Sequence, residues 1–119
     1  MRILFLDDME ERWDRFRQAN IGQVIDWAET AEAAIMFLRE NSYDLISLDH
    51  DLVFEHYCTV CHHKDGLCGM IVAEFIASNP GPFCQSAINV HTFNESAGQE
   101  MIGKLGAAGL KADYRPFDY

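Results

Sequence analysis

Asp44-Leu45-Ile46-Ser47-Leu48-Asp49-His50-Asp51-Leu52 is the stretch that decides the fold. Its first half is short and mostly apolar, the pattern of a strand buried on both faces rather than of a helix. Its second half then sets Asp49, His50 and Asp51 side by side. Burying that much charge without partners is expensive, so the acids belong at an exposed strand tip or beside a cation. A second stretch mirrors the first: Arg2-Ile3-Leu4-Phe5-Leu6 is an apolar run that ends in Asp7-Asp8. Two buried strands that each finish in acids predict one acidic pocket at one edge of a sheet.

The neighbouring segments supply the rest of that sheet. Met9, Trp13 and Phe16 recur at helical spacing to about residue 19, with Glu10 and Glu11 in a favourable first turn. Residues 23–28 read as a short second strand, and Thr30 as the N-cap of a helix with Ala31, Ile35 and Leu38 facing inward. Beyond the Asp49 strand, residues 50 to about 65 carry neither periodicity, and a loop that long inside a compact domain is functional or internally braced. Asp65-Gly66 opens a helix with Leu67, Met70, Ile71, Phe75 and Ile76 along one side, which Asn79-Pro80-Gly81-Pro82 stops. Ser86 to His91 is the fourth strand. Asn94 or Ser96 caps a helix carrying Met101, Ile102 and Leu105, with Gly109 just past its end. Leu110 to Tyr114 is the fifth strand, before Arg115-Pro116.

Five strands alternating with four helices predict an α/β fold: a five-stranded parallel sheet with right-handed crossovers and helices on both faces. Ligands of such sheets bind at the carboxyl ends of the strands, where the winding reverses. Asp7, Asp8, Asp49, His50, His91 and Arg115 all fall at those ends, from four separate segments.

The 119 residues suit one domain over 1–119, and 49% hydrophobic content suits a real core. No run of about 18 apolar residues exists, so no membrane span is expected. Charges at Arg2, Asp7 and Asp8 are unlike a signal peptide, which points to the cytoplasm. Nine basic against nineteen acidic side chains give a formal charge of −10. That excludes nonspecific binding to nucleic-acid backbones, which needs Lys and Arg, and leaves room for a cation-loaded site or a basic protein partner. Four cysteines without a secretion signal point to thiols or metal ligation rather than a disulfide framework.

A second constellation sits in the long loop: His56, Cys58, Cys61, His62, His63 and Cys68. Cys-x2-Cys is a recurrent zinc half-site, and Cys68 with one imidazole completes a tetrahedron. The expected set is Cys58, Cys61, Cys68 and His63, with His56 and His62 as alternatives for the fourth position. Cys84 precedes the fourth strand, at the opposite edge of the sheet. Such a zinc would brace the loop, since a Cys3His site is closed to substrate.

Leu6-Asp7-Asp8, Asp49 after strand three and Arg115-Pro116 after strand five resemble a response-regulator receiver domain. There a paired acid and a phosphoacceptor Asp hold magnesium, and a Lys-Pro pair closes the site. The chain resembles more closely the divergent cyclic-phosphate processing receiver domains. The likeness lies in Leu6-Asp7-Asp8 with Arg12 following, Ile46 through Leu52, Asp65-Gly66, and Val90-His91 through Asn94 and Gly98. It covers nearly the whole chain outside residues 53–64, which read as an inserted part of the 53–68 loop. Two departures from ordinary receivers stand out. Arg115 replaces the Lys, and His91 takes the place of a hydroxyl residue, with Thr92 following.

The resemblance implies metal-assisted hydrolysis of a cyclic phosphate ester, of a nucleotide or a nucleotide-derived compound. Asp7, Asp8 and Asp49 would hold Mg2+ or Mn2+ through hard oxygen ligands. Arg115 would neutralise charge on the phosphoryl oxygens, and His50 and His91 would activate water and protonate the leaving oxygen. Trp13, Asn94 and the braced loop are candidates to contact a base or sugar, with Trp13 better suited to the core. Two other readings are a standalone receiver phosphorylated on Asp49, and an inactive domain that binds a nucleotide or a protein.

Overall fold

Alternation along the first strand sets the layers. In the computed structural model, which describes residues 1–50 and 69–116, Ile3, Leu4, Phe5 and Leu6 of β1 (Arg2–Leu6) are all fully buried. Leu4 and Leu6 enter the large apolar cluster on one face. Phe5 projects from the other face and stacks on Phe16 of α1 (Glu10–Ala19), ring centroids 4.2 Å apart. Covering both sides of a strand in this way requires helices on both faces of the sheet.

The chain continues through β2 (Val24–Ala28), α2 (Ala31–Glu40), β3 (Leu45–Leu48), α3 (Gly69–Ser78), a 3-10 turn (Gly81–Phe83), β4 (Ala87–Val90), α4 (Glu95–Ala107) and β5 (Ala112–Tyr114). All strand pairings are parallel, in the order β2-β1-β3-β4-β5. The order reverses beside β1, which puts the binding edge at the carboxyl ends of β1 and β3.

The buried cluster joins Leu4, Leu6, Ile46, Leu48, Ile88 and Val90 of the sheet to Ala31, Ala34 and Leu38 of α2, Met70, Ala73 and Ile76 of α3, and Met101 and Leu105 of α4. Each large apolar side chain buried there contributes about 1.5–3 kcal/mol. Thr30 caps α2 as expected, its hydroxyl accepting from the Ala33 N–H at 3.1 Å, and Asn94 rather than Ser96 caps α4. Ala34, not Ile35, completes the fully buried stripe of α2; Ile35 packs half-buried at its margin. Gly109 adopts a positive φ of 84° just past α4, the left-handed turn that favours glycine.

Gly69 is fixed by close approach. A Cβ there would lie 1.6 Å from the Asp49 carbonyl oxygen, and its N–H donates to the His50 carbonyl at 2.8 Å. The start of α3 is thereby pinned against the backbone that carries Asp49. Among the described residues no helix is long and apolar enough to cross a membrane. The expected zinc ligands Cys58, Cys61, His63 and Cys68, with His56 and His62, lie outside the described residues, as do Asp51 and Asp65-Gly66.

Candidate active site

Strand register builds the site. Leu6 of β1 pairs with Leu48 of β3, and Leu48 with Val90 of β4. The next residue on each strand is Asp7, Asp49 and His91, so these three stand in one row across three adjacent strands. Backbone bonds continue the ladder through them: Asp49 N–H donates to the Leu6 carbonyl at 3.0 Å, and His91 N–H to the Leu48 carbonyl at 2.9 Å. All three side chains are buried, and one ligand atom from each lies within 4.8 Å of the others. Parallel pairing has converted three distant sequence positions into one pocket.

Asp7 is held from every side. Its Oδ1 accepts from the Met9 N–H at 2.9 Å, which starts α1, and its Oδ2 is 3.0 Å from His91 Nε2 and 3.3 Å from Arg12 Nη1. Its carbonyl accepts from the Trp27 indole at 2.8 Å. Trp13 stacks on Trp27, centroids 5.0 Å apart, so Trp13 serves the layer beneath α1 rather than a ligand.

His91 is equally fixed. Its Nδ1 lies 2.8 Å from the Ser47 hydroxyl, and the ring stacks on Phe5 at 5.0 Å with an 11° interplanar angle. A carboxylate only accepts, so Nε2 carries the proton towards Asp7, and Nδ1 accepts from Ser47. Ser47 sits two residues before Asp49 on the same side of β3, below His91. Burial holds the imidazole below its ordinary pKa; the hydrogen bond and charge of Asp7 pull it part of the way back, and Arg12 opposes them.

That lowering has a consequence for acid stability. Between the depressed folded value and the unfolded value of about 6.5, the unfolded chain binds a proton that the folded chain does not. Stability is therefore full above about pH 6.5 and falls as the pH drops through that window. Denaturant midpoints of chelator-treated protein at pH 7.5 and 5.5 should differ more for the wild type than for His91→Gln, which has nothing to protonate there. Equal differences in the two proteins would remove the assignment.

Arg12 completes the site. Its guanidinium Nη1 is 3.3 Å from Asp7 Oδ2 and 3.6 Å from Asp49 Oδ2, with only 15% of the side chain exposed. It also lies over the Phe93 ring, 4.8 Å from the centroid. Arg12 thus stands beside the two acids, where Arg115 was expected. Arg115 follows the three-residue strand β5 and shares the side of Asp113 by alternation; the two are each 70% exposed and 3.8 Å apart. The sequence carried a sign of Arg12 in its place after Leu6-Asp7-Asp8. Ser47, a hydroxyl in an apolar strand, was the other sign.

Of the other expected residues, Asp8 is half-buried and His50 fully buried, and neither is in the three-residue group. The His50 carbonyl accepts from the Gly69 N–H, and the Asn94 side chain caps α4. Cys84 lies after the 3-10 turn at the amino-terminal edge of the sheet, away from the pocket as expected, and it is a free thiol.

The donor set fits a divalent cation. Two carboxylates offer hard oxygen ligands, and one imidazole nitrogen extends the range from Mg2+ towards Mn2+.

A model of the cyclic-phosphate processing receiver domain matches residues 2–107. No curated protein matches the chain significantly. Among solved structures, a CheY-like response-regulator receiver domain from Methanospirillum hungatei is 21% identical. That match covers 99% of this chain and 82% of the other, with a TM-score of 0.68. The response regulator TrrA from Thermotoga maritima, solved with Mg(2+)-BeF, is also 21% identical, covering 99% and 87%, with a TM-score of 0.69. A two-component response regulator from Clostridium difficile is 22% identical, covering 100% and 84%, with a TM-score of 0.66. At such identities the likeness establishes a receiver-like fold.

Proposed function

The chain belongs to the cyclic-phosphate processing receiver domain family, and from that premise we propose that it hydrolyses a cyclic phosphate ester in the Asp7–Asp49–His91 pocket. The substrate class is a nucleotide or nucleotide-derived cyclic phosphodiester. The observation that supports this most is His91 itself. An imidazole stands in the row of the two acids, locked between Ser47 and Asp7, where a phosphorelay would need a small hydroxyl.

The geometry supports one division of labour. Asp7 and Asp49 would hold Mg2+ or Mn2+, which would supply charge neutralisation for the phosphoryl oxygens and polarise a water. His91 moves the proton at Nε2, the nitrogen that faces the pocket. Ser47 holds the ring from behind in either tautomer, because its hydroxyl both donates and accepts. Arg12 offers the guanidinium for the phosphoryl group. His50 serves the packing of the α3 start against Asp49 rather than proton transfer, and Arg115 lies outside the reaction.

The deciding experiment is turnover of a panel of cyclic phosphates, with and without Mg2+ or Mn2+. Release of a phosphomonoester that requires the cation is expected. No turnover, together with an acyl phosphate trapped on Asp49, would replace this reading with a standalone receiver. That second reading has one observation in its favour, the fold shared with TrrA and its Mg(2+)-BeF complex. Against it stand the burial of Asp49 and the guanidinium beside it. With a formal charge of −10, any protein partner of either form would be basic.

A further inference from the structure

Arg12 occupies the place a cation needs. We propose that its guanidinium is the resident counter-ion of Asp7 and Asp49, that a divalent cation displaces it, and that the displaced group, still carried on Phe93, binds the phosphoryl anion. The reading above is needed only for the identity of that anion, a cyclic phosphodiester.

Distance is the first support. Arg12 Nη1 stands 3.3 Å from Asp7 Oδ2 and 3.6 Å from Asp49 Oδ2, shared between the two acids that a cation would use. A cation at about 2.0–2.6 Å from those carboxylates would fall on the guanidinium edge, and two like charges do not share that position.

The ring that would keep the displaced group already touches it. Arg12 stands in the first turn of α1, on a long flexible stem, with its guanidinium carbon 4.8 Å from the Phe93 ring centroid. Phe93 is 58% exposed, on the turn between β4 and α4 two residues after His91. The guanidinium can slide outward along that ring and keep its cation–π contact, which partly offsets the lost ion pairs.

Charge supplies the third argument. Among the described residues, Asp7, Asp49 and Arg12 together carry one net negative charge, which repels a phosphodiester monoanion. A divalent cation added with Arg12 retained turns that into one net positive charge. The order of events follows: cation first, anion second, each strengthening the other.

The test is calorimetric titration of metal-free protein with Mn2+, which favours oxygen and nitrogen over thiolate, with and without dimethyl phosphate as the monoanion. Arg12→Ala should bind Mn2+ about tenfold tighter than the wild type without the anion, since its competitor is gone. Dimethyl phosphate should raise the Mn2+ affinity of the wild type several-fold and leave that of Arg12→Ala unchanged. If Arg12→Ala fails to fold, Phe93→Ala carries the question, because it leaves the acid pair intact. It should bind Mn2+ more weakly than the wild type in the absence of anion, since the displaced guanidinium loses its ring, and lose most of the coupling. Equal or weaker Mn2+ binding by a folded Arg12→Ala, or full coupling in Phe93→Ala, would overturn the exchange. Coupling without turnover of any cyclic phosphate would leave the exchange standing and remove the hydrolase.

Discussion

Replacing His91 with alanine should lower turnover of the best cyclic phosphate by about 10²–10⁴, the usual worth of a positioned general acid or base. Affinity for the substrate should change little, because the anion is met by Arg12 and the cation rather than by the imidazole. The alanine variant also empties a place where the ring stacks on Phe5 and bridges Ser47 to Asp7, so some stability is lost with it. His91→Asn separates the two effects. It retains a polar side chain beside Ser47 and Asp7 but cannot exchange a proton near neutral pH. The expected pattern is a similar fall in kcat for both variants, with a smaller shift in denaturant midpoint for asparagine. Full activity in both would end the role given to His91. In a phosphorelay, both changes would be mild.

The pocket was legible where strand logic alone decides it. Apolar runs ending in Asp7 and Asp49, and a third ending in His91, become neighbours once the pairing is parallel and in register. Their spacing along the chain matters little, because each is the first residue past its strand. What stayed hidden depended on side chains crossing from one element to another. Arg12 reaches the acids because α1 starts immediately above β1, tied down by the Asp7–Met9 turn. Arg115 fails to reach them because β5 is an edge strand whose alternation sends Asp113 and Arg115 to the solvent side. Both arginines follow acids in the sequence, and only the packing tells them apart.

Gly69 shows the same limit from the other side. In the sequence it falls inside the helix expected to open at Asp65-Gly66, with nothing to mark it. Its packing against the Asp49 carbonyl makes it part of the site's foundation. The α3 backbone comes that close because no side chain intervenes, and Asp49 is held in the row by contacts from both β1 and α3.

Changing Asp49 to asparagine should separate the hydrolase from the phosphorelay by the shape of the loss. The substitution keeps the side-chain volume and removes one of two carboxylates from the cation. Turnover should fall by about 10² or more at a cation level that saturates the wild type, and rise again as more cation is added, since Asp7 still offers a carboxylate. The fold should not suffer. Arg12 would then face one carboxylate instead of two, which brings the buried charges of Asp7 and Arg12 to balance. An unchanged or slightly raised denaturant midpoint is therefore expected, against the usual cost of breaking a buried pair, about 3–5 kcal/mol when a charge is left alone. A relay behaves otherwise. There the Asp49 carboxylate is the nucleophile, so asparagine abolishes the trapped acyl phosphate outright and no added cation restores it. Cation-dependent recovery of cyclic-phosphate turnover in Asp49→Asn supports the hydrolase. Complete loss at every cation concentration, with an acyl phosphate found only in the wild type, assigns the chemistry to Asp49 as a phosphoacceptor.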